Sequence, residues 1–288
     1  MQPSSETPQN ESTYVLDPES AAEMARLLDQ DLLATKHMGG LLTERPDFAN
    51  IHRVLDIACG PGGWVQEVAF THPEIEVIGI DISQAMIQYA RAQAKVQGLD
   101  NAKFLVMDAT KPLDFPDDYF DLINGRFMVT FLHSSAWPKL IQECRRITRS
   151  GGAIRLTDTD NMGITSSPAF EKLFDKALQR FHLTGKSFSP EGHHFGITPK
   201  LGYFLREAGY QHIRKTPHII DYSAGEEAHE GVYRDWMIAL KLAQPFLVTM
   251  KIMTQEEADA LYEQAMAEMQ SNDFTAIIYL LSVWGEKP

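Results

Sequence analysis

Three carboxylates and one glycine-rich turn carry the clearest chemistry in this chain. Asp56 stands four residues before Gly60 in the run Asp56-Ile57-Ala58-Cys59-Gly60-Pro61-Gly62-Gly63-Trp64-Val65. A dinucleotide fingerprint, Gly-x-Gly-x-x-Gly, aims helix N–H groups at a pyrophosphate. Here Val65 takes the place of the third glycine. A carboxylate beside the turn is a poor neighbour for a pyrophosphate and a good one for a cation. The turn therefore suits a ligand with a positive or amine-bearing centre. Asp81 lies 19 residues beyond Gly62, closing the apolar run 76–80. At the end of a second strand such an acid accepts hydrogen bonds from both hydroxyls of a ribose. Capping the next helix is the structural alternative for Asp81, and Ser83 can serve that role as well. Asp108 follows the apolar run 102–107, where a carboxylate can accept a bond from an adenine amine.

These groups meet only if the chain places them along one edge of a parallel sheet. Apolar runs at 53–58, 76–80, 102–107, 120–124 and 153–157 read as strands, each ending in polar or glycine residues. Helical patterns at 65–71, 84–97 and 136–147 separate them, the alternation of a doubly wound α/β sheet with a ligand crevice at the strands' carboxyl ends. Before the first strand, Asp17-Pro18-Glu19 opens a helix over 19–42, with Ala22, Ala25, Leu28, Leu32 and Leu33 at helical spacing. That helix can cross the carboxyl edge as a lid and bring Tyr14 and Gln30 to the ligand, or serve packing alone. Past the fifth strand come helices at 169–182 and 198–208, with a glycine- and histidine-containing loop at 185–196 between them. Strands follow at 211–221 and 277–284, separated by helical runs at 226–243 and 254–269.

Position by position, Asp56 to Gly62 resembles the first motif of the class I S-adenosylmethionine (SAM)-dependent methyltransferases. Asp81 after Val-Ile-Gly-Ile, Asp108-Ala109 after Phe-Leu-Val-Met, Phe120-Asp121-Leu122-Ile123 and Arg149-Ser150-Gly151-Gly152 match the later motifs in order. The match spans residues 50–160 and is similar to the ubiquinone- and menaquinone-biosynthesis group of small-molecule enzymes. The resemblance implies a doubly wound, seven-stranded, mostly parallel sheet with an N-terminal lid helix. It implies SAM as cofactor, with S-adenosyl-L-homocysteine as product. Asp56, Ala58, Gly60 and Gly62 would serve it from the first turn, and Asp81, Ile82 and Met86 from the second. Asp108, Ala109, Asn124 and Arg126 would complete the set, with Tyr14 and Gln30 from the lid. The expected organisation is a lid over 1–48 and a core over 49–222 with a cap at 161–200. A helical insertion at 223–274 and a final core strand at 275–288 follow. The last two strands of this fold are normally joined closely, so the insertion is expected beside the substrate mouth or at a subunit contact, as in a homodimer.

Methyl transfer to a phenol or enol gains from a general base, and an amine must lose its proton before attack. His133, just past the fourth strand, and His194, between the two cap helices, are the base candidates because histidine titrates near neutral pH. Asp158 and Arg126 are candidates to orient a polar acceptor. Aromatic residues along 127–195 point to an apolar or aromatic small-molecule acceptor attacked at oxygen, carbon or nitrogen. Asn124-Gly125-Arg126-Phe127 departs from the Asn/Asp-Pro-Pro-Tyr box of adenine and glutamine methyltransferases. Asp158 and Asp160 lack the pattern of a divalent-ion site, and no metal is expected.

Composition sets the outer bounds. With 44% hydrophobic and 23% charged residues the chain reads as a soluble globular protein. A net charge of -13 argues against nucleic acid or an anionic membrane as the main partner. Cys59 and Cys144 are too few for a disulfide framework, and a reducing, cytoplasmic setting is expected. No run is long enough for a membrane span. Three other readings compete: an NAD(P)-dependent oxidoreductase, against which Val65 and Asp56 argue; a SAM-binding regulator without turnover; and an RNA methyltransferase, which the acidic balance disfavours.

Overall fold

A parallel strand buries both faces and so reads as an uninterrupted apolar run. The computed structural model describes Leu16, residues 20–45 and residues 48–288. The first half alternates strand and helix: α1 (Ala21–His37), β1 (Arg53–Ile57), α2 (Gly63–Thr71), β2 (Glu76–Asp81), α3 (Gln84–Gln97), β3 (Ala102–Val106), β4 (Phe120–Arg126), α4 (Trp137–Ile147) and β5 (Thr148–Asp158). There follow β6 (Ile164–Thr165), α5 (Pro168–Leu183), α6 (Thr198–Glu207), β7 (Gln211–Asp221), α7 (His229–Thr249), α8 (Gln255–Met269) and β8 (Ala276–Glu286).

The sheet order is β3-β2-β1-β4-β5-β8, with β7 bonded along the opposite edge of β8. The two-residue β6 pairs with Ile277 and Ala276 and makes the sheet eight-stranded rather than seven-stranded. Among the described strands, β8 alone runs against the others. β7 points the same way as the parallel strands although its partner is β8. The chain winds from β1 through β2 to β3 on one side and from β4 to β5 on the other. The direction of winding therefore reverses between β1 and β4, which pair directly. That reversal opens a crevice at their carboxyl ends.

Alternating residues of the strands feed two cores. Leu55, Ile57, Ile123 and Ile154 pack with α4 and α6, while Val54, Val77 and Leu122 pack with α2 and α3. A third cluster joins α5, α7 and α8 to β8 and to Ala34 and Met38 at the end of α1. Local signals set the starts of several helices. Ser83 accepts the Met86 N–H at the start of α3, Ser167 accepts that of Phe170 at the start of α5, and Thr254 with Glu257 forms a capping box on α8.

Several boundaries differ from expectation: β5 begins at Thr148 rather than 153, α7 begins at His229 rather than 226, and two helix ends shift. α1 stops at His37, where Gly39 and Gly40 adopt φ of +92° and +128°, instead of running to residue 42. α7 continues past Pro245 to Thr249 instead of ending at residue 243. The proline forfeits one helical hydrogen bond, and the buried Leu247 just beyond it supplies a compensating contact. Among the described residues, no helix is long and apolar enough to cross a membrane.

Candidate active site

The residues that immediately follow β1 and β4 are strained. Ala58 has φ +55° and Phe127 φ +57°, both in the left-handed region that costs a side chain about 1 kcal/mol or more. Both line one cavity of about 400 Å³ at the carboxyl edge of the sheet. Such outliers concentrate at functional sites. Gly62 serves the turn differently. It caps α2 at φ +84°, and a Cβ there would lie 2.5 Å from the Phe104 ring. Its role is close packing of the turn, and it does not line the cavity.

Asp81 joins the first two strand ends. One of its oxygens accepts the Gly60 N–H at 3.0 Å and the other accepts that of Ser83 at 2.8 Å. Burial pushes its carboxyl up, and these backbone bonds oppose the rise. Ile82 and Met86 form an apolar wall beside it. Asp108 and Ala109 close that end. The Asp108 carboxylate accepts both the N–H and the hydroxyl of Thr110, and Lys111 lies 3.2 Å away. Burial alone would raise Asp108, but these partners hold it below the usual carboxylate range.

At the opposite end, Asp56, Asn124 and Arg155 occupy one register position across β1, β4 and β5. Asn124 Nδ2 donates to Asp56 Oδ1 at 2.7 Å, and Arg155 donates to Asn124 Oδ1 at 3.3 Å. Behind them Glu44 pairs with Arg155 at 2.9 Å. Burial works to raise Glu44, yet His218, Arg155 and Ser282 together hold it at about 2. Asp56 alone of this row lines the cavity. Burial pushes it up to about 7, with Asp31 adding to the rise while Arg126, Asn124 and Arg155 oppose it.

α1 roofs this end. Asp31 is ion-paired with Arg126, whose guanidinium also donates to Thr35 at 3.1 Å. Asp31 fills the space above Gly63, where its Oδ2 would lie 2.7 Å from an added Cβ. Earlier on the helix, Arg26 holds Glu23 at 2.7 Å and reaches Asp235 of α7 at 2.8 Å, and Gln30 donates to the same carboxylate at 3.2 Å. Arg26, Gln30, Asp31 and Arg126 all line the cavity. Its described walls thus carry five carboxylates, those of Asp31, Asp56, Asp81, Asp108 and Asp158, against the guanidiniums of Arg26 and Arg126. Once Asp56 and Asp158, both raised by burial, are ionised, the excess is negative, which favours a cationic ligand.

Beyond Arg126 the walls become apolar. Leu173, Phe174, Ala177 and Phe181 of α5 face a stripe of α7 that runs from Trp236 through Ala239, Leu240 and Ala243 to Phe246 and Leu247. These α7 residues recur every three or four positions and so share one side of the helix. Asp158 stands at the floor of this lobe, accepting the Val129 N–H at 3.1 Å and that of Thr159 at 3.0 Å. Burial pushes it up to about 8 against those bonds.

Several expected residues lie elsewhere. His133 and His194 are exposed and neither lines the cavity. Both sit on loops whose apolar neighbours, Leu132 and Phe195, turn inward and leave the imidazoles facing solvent. His133 Nδ1 is 2.7 Å from the Ser135 hydroxyl. No histidine is among the described residues that line the cavity. Asn124 is fully buried behind Asp56, one layer from the ligand space. Tyr14 lies outside the described residues. The sequence alone does not single out Asp31, Arg26, Glu44, Arg155 or the α7 stripe. Helical spacing is the signal that could find two of these, through Arg26 with Gln30 and through Trp236 to Leu247.

Residues 54–152 match the methyltransferase-domain family. YcgJ, an uncharacterized methyltransferase of Bacillus subtilis, is 33% identical over 137 residues, covering 48% of this chain and 51% of that protein. The demethylmenaquinone methyltransferase of Geobacillus kaustophilus is 26% identical over 185 residues, or 60% of this chain and 76% of the relative. The chain thus spans about half the length of the first relative and about three quarters of the second. Among solved structures, phosphoethanolamine N-methyltransferase 2 of Haemonchus contortus, in complex with phosphomonomethylethanolamine and S-adenosylhomocysteine, superposes with a TM-score of 0.54 at 16% identity. The overlap covers 94% of this chain and 57% of that one. Residues 54–152 thus resemble a methyltransferase domain, and the chain shares its fold with the Haemonchus methyltransferase.

Proposed function

We propose that this protein transfers a methyl group from SAM to an oxygen, carbon or nitrogen atom of a small, apolar or aromatic acceptor. One observation carries the reading: an acid-rich pocket at the ends of β1, β2 and β3 runs into an apolar lobe between α5 and α7. The cavity volume of about 400 Å³ falls within the range of small-molecule sites. The donor and acceptor set fits SAM. Asp81 would take the ribose hydroxyls, Ile82 and Met86 would flank the base, and Asp108 would face its amine. Asp56 and the Asp31–Arg126 pair offer both signs of charge to a zwitterionic amino-acid end. SAM supplies a methyl group already activated for displacement by its sulfonium charge.

The chain's own residues then orient and desolvate. α1 and α7 both line the crevice, and Arg26 and Gln30 tie them together through Asp235, which fixes the groups that would orient the ligand. The apolar stripe of α7 lines the lobe together with α5, whose Phe174 ring meets Trp236 edge-on at 5.0 Å between centroids, and such aromatic walls suit an apolar ring. Asp158 is the titratable side chain of that lobe. Its carboxylate, once ionised, can receive a proton from an acceptor hydroxyl. The two cations among the described lining residues are both engaged by carboxylates, which disfavours a phosphorylated acceptor.

Calorimetric titration with SAM and with NAD(P), followed by transfer of labelled methyl to a panel of phenols, quinols and amines, tests the reading. SAM binding with methylation of a ring-bearing acceptor is the expected result. Binding of a nicotinamide nucleotide in place of SAM would overturn it. SAM binding without turnover on any acceptor class would favour a regulatory role instead.

A further inference from the structure

Glu44 and Arg155 form an ion pair with almost no exposure, and neither lines the cavity. The fold alone does not require such a pair, since apolar residues of similar volume often serve as well or better. What the pair touches indicates another use. A guanidinium only donates hydrogen bonds, and an ionised carboxylate only accepts them. An amide placed between the two has one permitted orientation. Asn124 accordingly turns Oδ1 to Arg155 at 3.3 Å and Nδ2 to Asp56 at 2.7 Å. Asp56 Oδ1 is thereby occupied, and Oδ2 is left for the cavity.

We propose that Arg155, held in place by Glu44, is a positioning residue that acts through Asn124 to aim Asp56 at the ammonium group of the ligand's amino-acid end. The inference rests on the reading of the site as a SAM pocket. Each link has a defined job. Glu44 keeps the guanidinium charged in the core, at 2.9 Å from Nε. The backbone carbonyl of Leu41 takes a further donor at 3.1 Å and fixes the plane of the fork. The three strands share one register, so the row cannot slide without breaking the sheet. The other charged or titratable groups facing Asp56 are Arg126 from β4, Asp31 from α1 and the Cys59 thiol in the turn.

Arg155 also holds the α1–β1 connection through Leu41, so a purely structural role must be separated from positioning. Calorimetry with SAM and with adenosine, which lacks the amino-acid end, makes that separation on the full chain. The double substitution Glu44→Gln/Arg155→Met removes both buried charges together. It should weaken SAM by about tenfold or more while adenosine binding stays unchanged. In an Asn124→Leu background the same double substitution should cost nothing further. Arg155→Lys, which keeps the charge and loses the fork, should weaken SAM alone by a smaller factor, and it carries the test if the double variant does not fold. Equal losses for SAM and adenosine, unchanged SAM affinity, or full additivity with Asn124→Leu would each overturn the proposal. Failure of the unaltered protein to bind SAM would instead remove the SAM reading itself, and this inference with it.

Discussion

Arg126 at the end of β4 is ion-paired with Asp31 of α1, so one buried guanidinium fastens the roof of the cavity to its floor. The same guanidinium bonds Thr35, one turn further along the helix. Arg126→Met removes both contacts. It should lower stability by about 1–3 kcal/mol, the scale of hydrogen bonds to charged groups. The shift would be read as a lower urea midpoint at constant slope. Amide exchange should accelerate in α1 ahead of the sheet.

Asp56 supplies a pH dependence of binding. Its carboxyl is pushed up to about 7 before ligand arrives. An ammonium group binds its ionised form, so SAM affinity should rise as pH increases through neutrality. Asp56→Asn should bind more weakly at high pH and lose most of this dependence. A wild-type affinity that is flat across this interval would show that Asp56 does not meet the charge.

Asp158 supplies a pH dependence of stability, of opposite sense. Its folded value of about 8 lies above its ordinary value of 3.8, so the folded state holds the proton more tightly. The stabilisation this gives is fully present at acid pH and is lost as pH rises from about 4 to about 8. Urea melts of the protein without ligand should therefore show a falling stability that is flatter in Asp158→Asn. A slope identical in the two proteins would contradict the assignment.

The two exposed histidines give a negative control for catalysis. His133→Ala and His194→Ala should leave the turnover number close to that of the parent protein. Loss of a working general base would instead cost about 100-fold or more. A large drop in either variant would mean that the loop bearing it closes over the acceptor during turnover.

The α7 stripe can be tested by filling the lobe. Ala243→Trp adds bulk facing α5, with an overpacking cost of about 1–3 kcal/mol. SAM binding measured by calorimetry should persist, because the strand-end carboxylates are untouched. Binding of a ring-bearing probe such as 2-naphthol, measured in the presence of S-adenosylhomocysteine, should be lost.

The strand ends are legible in the sequence because a parallel sheet announces itself in short apolar runs punctuated by acids and glycines. Asp56, Asp81 and Asp108 each fall in or just after such a run, and all three line the cavity. That a helix precedes β1 is legible from the spacing of Ala25, Leu28 and Leu32, but its buried face is not: Ala25 and Leu32 are exposed, Glu23, Arg26 and Thr35 are buried, and Asp31 beside them reads as an ordinary solvated acid. Its partner Arg126 is 95 positions away, and no local pattern couples them. Ala58 conceals its left-handed backbone because it is not glycine. His133 and His194 attract notice by chemical type and loop position. Nothing in either property says which way a loop side chain faces, and both face solvent. Arg155 and Glu44 carry charges that look like surface, and only the folding of the α1–β1 connection back onto β5 brings them together inside.

β8 lies between β5 and β7, and among the described residues β7 has no other strand to bond to. Residues 222–275 separate the two members of that last pair. During synthesis β7 therefore leaves the ribosome as an open edge and stays one until β8 emerges, while the segments of α7 and α8 are still being made. An open edge is the template on which separate chains pair with one another. Arg214, Lys215 and Pro217, all exposed along β7, discourage that pairing in the interval. The segment between β7 and β8, which lines part of the cavity, thus also sets how long a newborn chain is vulnerable to aggregation.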